Sequence, residues 1–178
     1  MLIHFDAASF GRVIGRLLAV ERLPELGPGR PDELFRTAIE EAKRTGFAHL
    51  KIRQPMAAKA FMAGLWLLFD FLDESHELSQ SLPDEWGAYW HGIMHRREPD
   101  PGNAAYWFRR VHDNSIESQL KVAARNLGYD YRDPLTFIQD CERHRGTAGE
   151  QELRMRPVQL SEIRLLLQHH FDLAVGNR

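Results

Sequence analysis

The sequence has a single cysteine, Cys141. No disulfide can form within the chain, and a lone thiol fits a reducing, cytoplasmic setting. An excess of one charge sign is also missing: 23 basic residues face 25 acidic ones, for a net charge of −2. That balance provides no electrostatic footprint for nucleic acid or for an anionic membrane surface. Long apolar runs are absent. The longest, Ala60 to Phe69 with Gly64 inside it, ends at Asp70, well short of the about 20 residues that span a bilayer. Arg12 and Arg16 interrupt the apolar stretch near the N-terminus and no small-residue cleavage site follows, which is not the order of parts of a signal peptide. A phosphate loop, a dinucleotide fingerprint, a nucleophile elbow, zinc-finger spacing and Glu-x-x-His are all missing.

The chain holds 178 residues, 43% apolar and 27% charged, values that suit one globular domain. Residues 1–31 form an N-terminal segment: an apolar-rich piece, Val13 to Leu23, then the breaker cluster Pro24 to Pro31, whose glycines and prolines mark a loop. Residues 32–178 form the helical core. Asp32 opens a helix in which Leu34, Phe35, Ala38, Ile39 and Ala42 recur at helical spacing, and Gly46 closes it. Residues 47–54 suit a short extended piece, but no partner strand is evident.

Residues 56–79 read as one long central helix, with Phe61, Leu65, Leu68, Phe69, Leu72 and His76 on one face and Asp70, Glu74 and Glu77 on a solvated strip opposite. Helices follow over about 84–98, from Asp100-Pro101, over about 115–127, from Asp133-Pro134, and over about 160–175. The expected fold is a single-domain all-α array of six or seven helices around the 56–79 helix.

Residues 86–110 concentrate three of the four tryptophans, two histidines and four arginines. On the helix over 84–98, Asp84, His91, His95 and Glu98 fall within about 60° of one another. Histidines at i and i+4 can reach one metal ion, and neutral imidazole suits a divalent transition metal. His76 can add a third ligand from the preceding helix, and Glu98 can act as a ligand or general base, the parts of a metal-dependent hydrolase or oxidoreductase. The competing reading places His91 and His95 on a polar, solvated face.

A second grouping consists of Arg96, Arg97, Arg109 and Arg110 with Tyr106 and Asn103, suited to a phosphate, a carboxylate or an acidic partner. Its alternative is ion pairing with the acidic residues of the central helix. Asp100 is the cap of the helix that carries Trp107. The aromatics Trp86, Tyr89, Trp90, Tyr106 and Trp107 suit either a ligand pocket or a core. A third reading makes the whole cluster architectural, between helices or against a second copy of the chain in a homo-oligomer. His112-Asp113 matches the dipeptide of HD-type phosphohydrolases but falls at a helix end, where Asp is an ordinary turn residue. Cys141 lies on an apolar helix face, which suits a buried inert thiol.

The stretches AGLWLLFDFLDESHELSQ (63–80) and YWHGIMHRREPDPGNAAYWFRRV (89–111) resemble a family of bacterial proteins with the pattern D-F-L-x-x-S-H, then W-H-G-x-x-H-R-x-E-x-D-x-x-N-x-x-Y-W-F-R-x-V. Residues 26–33 and 133–142 are also similar to it. By residue, the resemblance covers His76, His91, His95, Arg96, Glu98, Asp100, Asn103, Tyr106, Trp107 and Arg109, and leaves His112-Asp113 outside. No activity is established for that family, so the resemblance implies no mechanism.

Overall fold

The computed structural model describes residues 5–113 and 115–176, with the side chains of Asp84 and Glu85 excepted. The described residues form a short 3-10 turn, Ala7–Phe10, and nine α-helices with no strand. These are α1 (Arg12–Leu18), α2 (Glu33–Thr45), α3 (Pro55–Leu68), α4 (Leu72–Gln80), α5 (Asp84–Arg97), α6 (Pro101–Phe108), α7 (Ser115–Asn126), α8 (Pro134–His144) and α9 (Glu150–Val175). The all-α expectation holds. No described helix is long and apolar enough to cross a membrane.

Three helix starts follow directly from local chemistry. The carboxylate of Asp32 accepts the Leu34 N–H at 3.0 Å, that of Asp100 the Asn103 N–H at 3.1 Å, and that of Asp133 the Thr136 N–H at 2.8 Å. Each satisfies an N–H that has no partner inside its helix. Pro101 and Pro134 occupy first helical positions, where no N–H is needed.

The expected 56–79 helix is two helices. It breaks at Phe69–Phe71, where Asp70 adopts a left-handed backbone with φ 67°, a conformation Asp tolerates better than most residues. The break turns Asp70 inward, to 7% exposure, and its carboxylate accepts from Arg97 Nη2 and Arg22 Nη2, both at 2.5 Å. Asp70 is therefore not on a solvated strip with Glu74 and Glu77. Helical periodicity could not reveal the break, because Leu67, Leu68, Phe69, Phe71 and Leu72 are all buried and the segment is apolar on every side.

Two further expectations change. The last helix begins at Glu150 and carries Pro157 inside it. The backbone bond lost there belongs to the Leu153 carbonyl, and Leu153 lies on the solvent side at 56% exposure. Residues 47–49 form a turn and 50–54 an irregular connection rather than a strand. Phe47 instead packs its ring 5.6 Å from Phe61 and 5.9 Å from Phe171.

Helices α3 and α9 pack together along the centre, with α4, α5 and α6 wrapped on one side and α7 and α8 on the other faces of α9 and α6. Gly92 sets the spacing of α5 and α6: a Cβ there would lie 2.8 Å from the Phe108 ring. That close approach carries Trp107 onto α5.

The Gly/Pro segment before α2 is an embedded strap. Six consecutive carbonyls, from Leu23 to Pro28, accept hydrogen bonds from distant side chains. Arg156 donates to Leu23 and Pro24, Gln159 to Glu25, Arg145 to Leu26, and Arg97 to Gly27 and Pro28. Buried carbonyls need partners, and this loop finds them on α5, α8 and α9 instead of in its own backbone. Gly29, at φ 72°, passes directly over Asp70, where a Cβ would fall 2.6 Å from Asp70 Cγ. Only glycine meets both demands there.

Candidate functional site

Three elements build one corner of the molecule. Helix α4 supplies His76, α5 supplies His91 and His95 one turn apart, and α6 supplies Trp107. The ring centroids of His76 and His91 lie 5.3 Å apart, those of His76 and His95 5.3 Å apart, and those of His91 and His95 6.1 Å apart. Trp107 stacks flat on His91 at 4.0 Å and 9°. His91 is 1% exposed and His95 9% exposed, so this face of α5 is packed between helices and the solvated-face reading does not hold. His76 is half-buried at the edge.

Each imidazole has one nitrogen beside a polar neighbour. His91 Nδ1 is 3.2 Å from the Gly87 carbonyl, His76 Nε2 is 2.9 Å from the Gln80 amide, and His95 Nδ1 is 3.4 Å from Glu98 Oε2. Burial holds the His95 imidazole below its usual pKa and His76 lowers it further, against the opposing pull of Glu98. Glu98 is exposed and caps the C-terminal end of α5. The side chain of Asp84, grouped with these residues by helical angle, lies outside the described residues. As the rings stand, no group of three or more His, Cys, Asp or Glu among the described residues is disposed to hold a metal ion.

The arginine grouping is not assembled. Arg96 and Arg97 are both fully buried. Arg96 reaches Glu162 at 2.5 Å and lies 4.6 Å from the centre of the Phe137 ring. Arg97 donates to Asp70 and to the carbonyls of Leu67, Gly27 and Pro28. Both are consumed by the interior, so an anion-binding surface built on them is corrected. Of the rest, Arg110 lies over the Tyr106 and Trp107 rings and donates to the Tyr106 hydroxyl at 3.1 Å. Arg109 is exposed at the end of α6, Tyr106 is exposed, and Asp100 and Asn103 are occupied with each other at the α6 cap.

Asp113 accepts the Ser115 N–H at 2.8 Å in the turn that leads into α7. That explains the His-Asp dipeptide as turn chemistry. Cys141 is fully buried, and burial pushes its thiol pKa up to about 12, which leaves it inert.

A cavity of about 410 Å³ lies between α5, the segment joining α6 to α7, and α9. Its walls include Trp86, Tyr89, His112, His169 and His170. Sequence reasoning missed the contribution of His169 and His170, although an adjacent His pair whose second member falls on the apolar face of the last helix was a usable signal.

Comparison with known proteins finds no matching protein-family model, no matching curated protein and no matching solved structure.

Proposed function

We propose that this chain binds a divalent transition metal through His76, His91 and His95. The observation that carries the reading is the convergence of three imidazoles from two helices, with centroids 5.3, 5.3 and 6.1 Å apart. A tetrahedral ion with metal–nitrogen bonds of about 2.0–2.1 Å sets imidazole centroids about 5 Å apart. The Gly87 carbonyl beside His91 Nδ1 and the Glu98 carboxylate beside His95 Nδ1 follow the outer-shell pattern that fixes the tautomer of ligating histidines, while the Gln80 amide has to turn its oxygen toward His76 Nε2 before Nδ1 can ligate.

Binding requires the other ring nitrogens, Nδ1 of His76 and Nε2 of His91 and His95, to turn toward one point. His76 is the ring with room to turn, being half-buried and held by Gln80 of its own helix. Glu98 then acts through His95 as an orienting carboxylate. Three protein nitrogens leave a fourth position for water at the His76 edge, which is the composition of hydrolytic metal sites.

The test is elemental analysis by plasma mass spectrometry on untagged protein, beside a His91→Ala/His95→Ala double variant. Near-stoichiometric zinc or another first-row metal in the wild type, absent from the variant, is the expected result. No metal in either sample after reconstitution with zinc, nickel, copper and ferrous iron would overturn the reading and leave the corner architectural.

A further inference from the structure

A second cavity, of about 310 Å³, lies where the strap, Arg30, Asp70 and α9 meet. That volume is at the lower edge of the roughly 300–1,000 Å³ typical of ligand pockets. The cavity shares no residue with the histidine corner or with the grouping of Arg96, Arg97, Arg109 and Arg110. Three other arginines line it, Arg22, Arg30 and Arg156, together with the carboxylates Asp70 and Glu25.

Two of the arginines are fixed along one edge. Arg22 donates from Nη2 to Asp70 at 2.5 Å, and its guanidinium lies 5.2 Å from the centre of the Phe69 ring. Arg156 donates from Nε to the Pro24 carbonyl at 3.2 Å and from Nη2 to the Leu23 carbonyl at 2.5 Å. Those bonds leave Nη1 of both residues, and Nε of Arg22, without an acceptor among the described residues. Arg30 is exposed, and among the described residues its side chain makes no hydrogen bond or ion pair. Its backbone is set on one side by Gly29 at φ 72° and on the other by the ring of Pro31.

The bonds that fix these arginines do not neutralise them. Arg156 holds two uncharged carbonyls. Asp70 is one negative charge shared by Arg22 and Arg97. Glu25 is exposed and pairs with no arginine among the described residues. Four guanidiniums, those of Arg22, Arg30, Arg97 and Arg156, thus stand against the two carboxylates Asp70 and Glu25. The excess is the charge of a phosphate dianion. Phosphate oxygens accept, and guanidinium only donates, so the donors left over match that ligand. Arginines held in place before binding also lose little freedom when the anion arrives.

We infer that this cavity binds a phosphate dianion, free or as the terminal group of a small molecule. Arg22 and Arg156 hold it from fixed positions, and Arg30 closes over it. The site needs no metal and stands or falls separately from the histidine corner.

The test uses the full chain after chelation, in a phosphate-free buffer of low ionic strength. Inorganic phosphate and glycerol 3-phosphate are titrated by calorimetry, beside acetate as a monoanionic control. The expected result is saturable one-to-one binding of at least one phosphate species at about 1 mM or tighter, with acetate weaker by roughly tenfold or more. Added salt weakens it, as it does any exposed charge contact. Tighter binding of the ester identifies a phosphorylated small molecule as the ligand; equal or tighter binding of inorganic phosphate identifies the free ion. Arg30→Gln removes an exposed side chain without bonds, so it keeps the wild-type unfolding midpoint in the absence of phosphate and weakens phosphate binding roughly tenfold. Glu25→Gln removes the unpaired carboxylate of the lining and tightens binding. Absence of binding of both phosphate species at about 10 mM, acetate binding as tightly as phosphate, or an unchanged affinity in Arg30→Gln or Glu25→Gln would each overturn the inference.

Discussion

Arg97 and His95 lie two residues apart on α5, yet they meet opposite surroundings. The guanidinium of Arg97 is wrapped by a carboxylate and three carbonyls. Its role is finished by the fold: it ties the strap over residues 23–28 to the break between α3 and α4. His95 is also buried, but its Nδ1 stands 3.4 Å from Glu98 without forming a hydrogen bond. Its nearest ionisable ring neighbours are two more imidazoles. The contrast separates polar residues whose hydrogen bonds hold the structure from the imidazoles on which the proposed function rests. A saturated buried cation is a structural part. A packed cluster of three imidazoles from two helices is where the proposed metal would bind.

The comparison is broken most severely at Asp70. Asp70→Asn keeps the shape and the tolerance for the left-handed backbone but removes the charge that Arg97 and Arg22 share. Breaking a buried pair while its cation stays inside costs about 3–5 kcal/mol, so denaturant unfolding should show a loss of that size. The metal content per folded chain should stay as in the wild type, because Asp70 belongs to the strap and not to the corner.

The next largest effect concerns acid. Burial, with a smaller contribution from His169, lowers the His170 pKa to about 3 from 6.5. The folded form therefore keeps His170 neutral while the unfolded chain protonates. This residue makes stability fall as pH drops through the window from about 6.5 to about 3, with a slope of up to about 1.4 kcal/mol per pH unit. His170→Phe should flatten that part of the acid limb relative to wild type in denaturant titrations at successive pH values. An unchanged limb would contradict the burial of this ring.

A smaller effect is expected at Arg156, which donates to both Leu23 and Pro24. Arg156→Ala should cost about 1–2 kcal/mol and speed proteolytic cleavage within residues 22–29. Unchanged proteolysis would show that Arg97, Arg145 and Gln159 suffice to hold the strap. The smallest effect is at Glu98. Because it is exposed, Glu98→Gln should change stability by less than about 0.5 kcal/mol. It should weaken zinc affinity by about tenfold if Glu98 orients His95.

The parts of this fold that were legible in the sequence are the local ones. Asp32, Asp100 with Pro101, and Asp133 with Pro134 cap their own helices within three residues, so their signal is short-range. The trio His76, His91 and His95 was legible for a related reason: one helical turn joins two members, and the short 80–84 connection brings α4 back along α5. The break at Asp70 was not legible, since its cause is Arg97 on another helix and Arg22 on another segment. The strap was hidden for the same reason. Its carbonyls are satisfied by residues 69 to 134 positions away, and a Gly/Pro-rich stretch reads as a surface loop until those partners are placed. For Arg97 the alternative reading, an ion pair with an acidic residue of the 56–79 segment, holds through Asp70; the partner of Arg96, Glu162 on the last helix, was not legible, because helical angles report which face a residue occupies, not which carboxylate waits inside that face.

The central claim is that the histidine corner is a metal site in the native fold, while Arg97 and the bonds that tie it to the strap are structural. Its most direct test is the zinc dependence of unfolding, measured for wild type and for His76→Ala after chelation. A ligand that binds only the native state raises stability by about 2.7 kcal/mol at a free concentration about a hundred times its dissociation constant. The account predicts a zinc-dependent rise of the denaturant midpoint in the wild type and little or none in His76→Ala. An equal shift in both proteins, or no shift in the wild type, would contradict it.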